Sequence, residues 1–311
     1  MEATFLRHRP VLLAEALAAL NLRPSGRYVD ATFGRGGHAT ALLAALGPEG
    51  RLLALDRDPA AQQAAKRFDG DSRFVFAQTP FSRLTEWVAQ QGWSGRVDGI
   101  LLDLGVSSPQ LDDPMRGFSF AQDGPLDMRM DPAAGISAAE WLEQIEEAEL
   151  ARVLAEYGEE RFHRRVARAI VAAHRQTPIT TTKQLATIVA AAVPTREPGK
   201  HPATRTFQAI RIAVNDELRE LRQLLPQTVG ALAPGGRLAV ISFHSLEDRM
   251  VKHFLREQVR GRELPLDLPV TGTPTGMTFG LIGRAIRPSA EEIAANPRAR
   301  SALLRVAERL A

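Results

Sequence analysis

Asp30-Ala31-Thr32-Phe33-Gly34-Arg35-Gly36-Gly37-His38 is the stretch on which the reading of this chain turns. It begins in a short apolar run, Tyr28 to Ala31, that reads as a buried strand, and an apolar helical pattern follows His38. Glycines between a strand and a helix permit positive φ angles and let a ligand approach the backbone at the helix N-terminus. The spacing Gly34-x-Gly36-x-x-Ala39 fits a nucleotide-binding fingerprint. Asp56 ends the next apolar run, where an acid that grips a ribose belongs.

Outward from this loop, Leu52 to Leu55, Phe74 to Ala77 and Ile100 to Leu102 read as further buried strands separated by helical patterns. The β-α-β rhythm predicts an α/β, Rossmann-like domain: a parallel sheet with both faces covered and ligands at the carboxyl ends of its strands. The glycine loop and Asp56 suit a nicotinamide cofactor or S-adenosylmethionine equally, and a tight turn beside a strand-end acid would look the same. The fourth run narrows the choice, because it ends in Asp103-Leu104-Gly105-Val106-Ser107-Ser108-Pro109-Gln110. Amino-methyltransferases place an acid or amide and a short polar, proline-containing loop here. An exocyclic base amine is a poor nucleophile whose lone pair is delocalised into the ring, so its N–H groups must be held by acceptors. Asp103 or a carbonyl of this loop can serve, with Ser107 and Ser108 beside it. A Ser-Ser-Pro helix cap next to a structural Asp is the plainer alternative.

After Leu104 a Gly/Pro/Asp-rich stretch runs to Ile136, longer than an ordinary connection. From Ser137 to Val193 the pattern is helical and charged. The predicted organisation is a methyltransferase-type domain over 1–136 and 201–311, interrupted by a helical substrate-recognition domain over 137–200. A long helix is expected from Ala203, with Phe207, Ile210, Val214, Leu218 and Leu221 on one stripe and Pro226 near its end. Pro234-Gly235-Gly236 reads as a turn before a strand at Arg237 to Phe243, and a helix follows from Ser245. Ser245 with Asp248 reads as the cap of that helix, and His244 stands at the strand end facing the site. The Pro/Gly/Thr-rich segment 261–280 reads as a loop, and Ser301 to Arg309 as a strand or a helix.

Composition bounds the chemistry. The chain has 311 residues, 44% hydrophobic and 24% charged, which is ordinary globular composition. It has no cysteine, which excludes disulfides, thiolate zinc sites and a cysteine nucleophile. Its seven histidines show no metal-ligand spacing, so no metal is expected. The apolar run from Val11 to Leu20 is interrupted by Glu15 and nothing approaches a membrane span, so a cytoplasmic protein without membrane contact is expected. Net charge is only +3, too weak to argue for nucleic acid by itself. Only Lys66, Lys183, Lys200 and Lys252 among the 39 basic residues are lysines; arginine forks suit bidentate phosphate contacts. Arg161, Arg164, Arg165, Arg168 and Arg175 fall on neighbouring helical positions, a basic face that could hold RNA phosphates or simply be solvated. Glu140, Glu143, Glu146, Glu147 and Glu149 read as a solvated acidic face. His201, Arg205 and Arg211 lie where the insertion returns to the sheet and would suit a substrate-facing wall.

The stretches HRPVLLAEAL around Arg9, DATFGRGGHA at Asp30, LALDRDP at Leu53 and DGILLDLGVSSPQLDD at Asp98 together resemble the ribosomal RNA small subunit methyltransferase H family, also called MraW. So do RGFSF at Arg116, GPLDMRMD at Gly124, YGEERF at Tyr157, HPATRTFQAIRIAVNDEL at His201, ISFHSLEDR at Ile241 and NPRARSALLR at Asn296. The likeness covers nearly the whole chain and is loose only over 261–280. It implies transfer of a methyl group from S-adenosylmethionine to N4 of a cytidine in the decoding centre of 16S rRNA in the small ribosomal subunit, and it allows a homodimer. It carries cofactor contacts onto Gly36, Gly37, His38, Asp56, Phe81, Asp103 and Gln110, with Asp56 on the ribose and Phe81 near the adenine. Substrate contact is expected of His244, Arg164, Arg165, Arg168 and Arg205. A nicotinamide oxidoreductase would leave the Asp103 loop and GPLDMRM without a task, and a non-enzymatic RNA-binding protein would have no need of an intact Asp56 and Asp103.

Overall fold

A computed structural model describes residues 10–195, 199, 201–261 and 276–311. The start of the HRPVLLAEAL stretch, with Arg9, and most of the loop expected over 261–280 lie outside the described residues. The chain divides into two compact units, one formed by Met1–Gly105 with Arg219–Ala311 and the other by Val106–Leu218.

The first unit is built on a seven-stranded sheet. In chain order the strands are β1 (Arg27–Asp30), β2 (Arg51–Asp56), β3 (Phe74–Gln78), β4 (Val97–Asp103), β5 (Leu232–Ser242), β6 (Phe279–Leu281) and β7 (Leu303–Arg309). In space the order is β3-β2-β1-β4-β5-β7-β6. The first five strands pair in parallel, β7 runs antiparallel to β5, and β6 antiparallel to β7. The expected α/β, Rossmann-like sheet is therefore present, and Ser301 to Arg309 resolves into a strand. The chain order reverses direction at β1 and β4, and such a switch point is where an open parallel sheet binds its ligand.

Apolar residues line both faces of these strands because the sheet is covered on both sides. Tyr28, Leu52, Ala54, Leu101, Ala239 and Ile241 pack with Ala16 and Leu20 of helix Leu13–Leu20 and with Ala39, Leu42 and Leu43 of helix Gly37–Ala45. Val29, Leu53, Leu55, Ile100, Leu102 and Val240 face Leu84, Val88, Leu221, Leu224, Val251 and Leu255 on the opposite side. Each fully buried Leu or Ile among them contributes roughly 1.5–3 kcal/mol of transfer free energy.

Three details depart from the sequence reading. The helix expected from Ala203 is two helices, Thr204–Asn215 and Glu217–Ala231, because Asp216 takes a left-handed conformation at φ 54° and ends the first; Pro226 lies inside the second. Pro234-Gly235-Gly236 does not precede the strand but interrupts it. Val97 pairs with Leu232 and Gly99 with Arg237, so the intervening residues bulge from β5 with Gly235 at φ 78°. The cap of helix Ser245–Arg260 is His244, not Ser245, and its third helical residue, Glu247, completes the capping box.

The second unit is wider than the 137–200 segment read from the sequence. Phe118, Leu126 and Met128 of the preceding loop and Phe207, Ala209 and Ile210 of the following helix share one buried cluster with Leu142, Leu150, Leu154, Ile170 and Leu185. Asn215, only 3% exposed, fastens the loop to that helix. Its amide donates to the carbonyl of Met128 at 2.7 Å and accepts from the N–H of Met130 at 2.7 Å. Among the described residues no helix is long and apolar enough to cross a membrane.

Candidate active site

The switch point places three acids on one side of the sheet. Asp30 ends β1 in register with Ala54 of β2 and Leu101 of β4. Side chains alternate between faces along a strand, so Asp56 and Asp103, each two residues beyond these partners, project to the same face as Asp30. Helix Gly37–Ala45 packs on that face and brings His38 with it.

The loop between β1 and this helix is held from several directions. Gly34 has φ 56°, and its N–H donates to Asp56 Oδ2 at 2.7 Å. Gly36 caps the helix at φ 69°, and a Cβ there would stand 2.6 Å from the Phe33 ring. A Cβ on Gly37 would collide with Pro10. Glycine is thus required at 36 and 37 by the protein's own packing. Asp56 also accepts from the Asp58 N–H at 2.8 Å, so both its oxygens are oriented while each keeps a lone pair for a hydroxyl. Burial pushes the Asp56 carboxyl up to about 6.

His38 is 5% exposed, and burial lowers its pKa to about 4, so the ring is neutral at physiological pH. Its Nε2 faces the Val11 carbonyl at 3.3 Å, an acceptor, which assigns the proton to Nε2. Nδ1 then presents a lone pair 3.7 Å from Asp103 Oδ2. Asp103 is raised well above the usual carboxylate range, first by burial and then by the charges of Asp30 and Glu247. Asp30 is 1% exposed and is pushed up to about 7 by burial, with Asp56 adding to the shift.

Buried polar atoms without a partner gather at the same ends. Asp30 Oδ2 and Asp103 Oδ1 are two of them, joined by Ser242 Oγ at the end of β5 and Thr79 Oγ1 just after β3. An orphaned buried acceptor costs about 1–3 kcal/mol unless a ligand or water satisfies it. A zwitterionic, hydroxyl-bearing nucleoside ligand such as S-adenosylmethionine offers the donors these acceptors lack. Phe81 opens the short helical turn Phe81–Arg83 after β3 and packs against the core while staying partly exposed.

Of the expected site residues, Gly36, Gly37, His38, Asp56, Phe81 and Asp103 all belong to the first unit and cluster at its strand ends. Ser107, Ser108 and Gln110 belong to the second. There Gln110, 6% exposed, closes a capping box in which its side-chain oxygen accepts from the Ser107 N–H at 2.7 Å. That oxygen already serves helix Ser108–Asp112. His244, in the first unit, is likewise occupied by capping, with its Nε2 3.1 Å from Glu247 Oε1. Arg164, Arg165 and Arg168 are exposed on helix His163–Gln176; Arg168 lies 3.6 Å from Glu147. Arg205 donates to the Glu159 carbonyl at 2.6 Å, closing the end of helix Glu147–Gly158, and Arg211 pairs in bidentate fashion with Glu217. Both therefore have structural work inside the second unit. Asp30 is the site residue that the sequence reading misses, although an acid opening a glycine loop at a strand end is a readable signal.

Residues 5–310 of the chain match the model of the MraW methylase family. The chain is 62% identical over 306 residues to the ribosomal RNA small subunit methyltransferase H of Thioalkalivibrio sulfidiphilus (strain HL-EbGR7), covering 98% of both chains. Among solved structures, it is similar to an rRNA methylase from Streptococcus thermophilus at 14% identity and a TM-score of 0.40, covering 96% of this chain and 93% of that one. It is also similar to TrmN from Thermus thermophilus at 15% identity and a TM-score of 0.43, covering 98% and 51%. With its family model matched almost from end to end, the chain belongs to the MraW methylase family, and it is an S-adenosylmethionine-dependent methyltransferase.

Proposed function

We propose that this methyltransferase modifies N4 of a cytidine in the decoding centre of 16S rRNA, within the small ribosomal subunit. The observation that carries the reading is the 62% identity, over 98% of both chains, to a small-subunit rRNA methyltransferase. The choice of atom and nucleotide rests on the motif resemblance. A polar, acceptor-rich strand end at Asp103 supports an amine as the methyl acceptor.

When bound, S-adenosylmethionine supplies an electrophilic methyl group on its sulfonium. The chain's own residues do the rest. Asp56, fixed by two backbone N–H groups, receives the ribose hydroxyls. Asp103 accepts hydrogen bonds that orient either the methionine part or the target amine. The cytosine must leave its stack to be reached, so RNA affinity depends on phosphate and stacking contacts elsewhere. Arg164, Arg165 and Arg168 are exposed and suited to phosphates, whereas Arg205 and His244 act on the substrate only through the elements they cap.

The test is mass-spectrometric mapping of cytidine methylation in small-subunit rRNA, with and without the protein, using labelled cofactor. Label on N4 of one cytidine, only when the protein is present, is the expected result. Label on another base or on cytosine carbon would overturn the assignment, and naked rRNA run beside assembled subunits would identify the true substrate.

A further inference from the structure

Asp30 has no task in the chemistry proposed for the site, yet it is among the most buried acids of the chain. It ends β1 beside β4, projects to the same sheet face as Asp103, and leaves Oδ2 without a partner. Its other oxygen accepts only from the Thr32 N–H at 3.2 Å. Asp103 leaves Oδ1 unpartnered in the same way. Among the described residues no Lys or Arg pairs with either acid. The ionisable groups around them are Asp56 from β2, Glu247 from the helix after β5, and neutral His38 from the helix on their face, while Arg35 acts on Asp56.

We propose that Asp30 and Asp103 share a proton in the free protein and give it up on receiving the α-ammonium of the cofactor's methionine part. The reading rests on S-adenosylmethionine being the cofactor. Two close, desolvated carboxyls with no cation cannot both stay ionised, so one proton is retained between them. A bound ammonium supplies the missing positive charge and satisfies both orphaned oxygens with its own N–H donors. The balance is simple: a carboxyl and a carboxylate become two carboxylates around one ammonium, and one proton passes to solvent. Burial and neighbouring charge hold the pair protonated towards neutral pH, Asp30 at about 7. Ligand affinity therefore rises with pH until the free pair is ionised, and then levels off. Asp30 is here a positioning residue that also sets the charge Asp103 carries once the site is loaded.

The experiment is titration calorimetry of the full chain with S-adenosylhomocysteine near pH 6.5, in buffers of different ionisation enthalpy. The observed heat should vary with buffer, with a slope corresponding to roughly one released proton or a large part of one. Methylthioadenosine keeps the adenosine and thioether but lacks the ammonium, and should release almost none. Asp30→Asn should bind S-adenosylhomocysteine with little proton release and a flat affinity between pH 6 and 8. Equal release with both ligands, or release undiminished in Asp30→Asn, would overturn the proposal. Should that variant fail to fold, the two-ligand comparison on the parent protein decides alone. Tight S-adenosylhomocysteine binding without proton release would refute the shared proton and leave the cofactor intact, whereas absence of binding would refute both.

Discussion

The main-chain N–H of Asp103 donates to the hydroxyl of Thr32 at 2.6 Å, tying the end of β4 to the loop that follows β1. One side chain thereby fixes the spacing of the two strand ends on which the site is built.

Removing that acceptor should be felt in stability first. Thr32→Val keeps the shape and leaves a part-buried N–H unsatisfied, a cost of about 1–3 kcal/mol. Thr32→Ser restores the hydroxyl and should recover most of the loss. Denaturant unfolding measures both, and a Val variant as stable as the parent would show that water replaces the hydroxyl.

Asp56→Ala should weaken cofactor binding at least about tenfold while the sheet stays folded, since charge-assisted bonds to ribose hydroxyls contribute on the order of 1.5–3 kcal/mol each. The N–H groups of Gly34 and Asp58 lose their acceptor in the same variant. Asp56→Asn, which keeps one acceptor, should fall between the two. Calorimetry with S-adenosylhomocysteine reads the series; unchanged affinity in a folded Ala variant would remove Asp56 from the site.

Asp103→Asn should lower methyl transfer far more than RNA affinity, because the amide loses the charge and presents a donor where acceptors are needed. Single-turnover methylation at saturating cofactor separates two roles. A persistent deficit of about 100-fold or more places Asp103 in the transition state, whereas recovery of the parent rate confines it to holding the cofactor. An unimpaired rate without saturation would exclude both.

Replacing Arg164, Arg165 and Arg168 together by Gln should weaken RNA binding and spare cofactor affinity. Every phosphate that is no longer neutralised flattens the salt dependence by roughly 0.9 in the log–log slope for duplex and about 0.7 for single strands. Equal slopes for variant and parent would assign these arginines to a solvated face.

Much of the sheet was legible because a parallel strand buried on both faces writes itself as a continuous apolar run, as in Leu52 to Leu55. The glycine loop and its two acids, Asp56 and Asp103, were legible because each sits where a strand run stops. What escaped was set by tertiary context. A left-handed Asp216 splits an apolar stripe that continues unbroken through Val214, Leu218 and Leu221, and nothing in the periodicity marks it. Cap identity escaped as well, since His244 and Ser245 are adjacent and only backbone geometry decides between them. The structural duties of Gln110 and Arg205 depend on partners that spacing does not reveal. The isolation of Asp30 became visible only once its register with β4 was known.

The pairing of β4 with β5 joins neighbours in space that the whole second unit separates in sequence. During synthesis, β1 to β4 emerge first and must wait with one edge of β4 bare until β5 is made. Closing a flexible loop of roughly 130 residues is slow and entropically costly, and a compact insert that folds early brings its two ends under control before the strands meet. The insertion would then act as a splint for its host's assembly, and a lesion in its interior, far from any ligand, would show itself as a delay in completing the sheet.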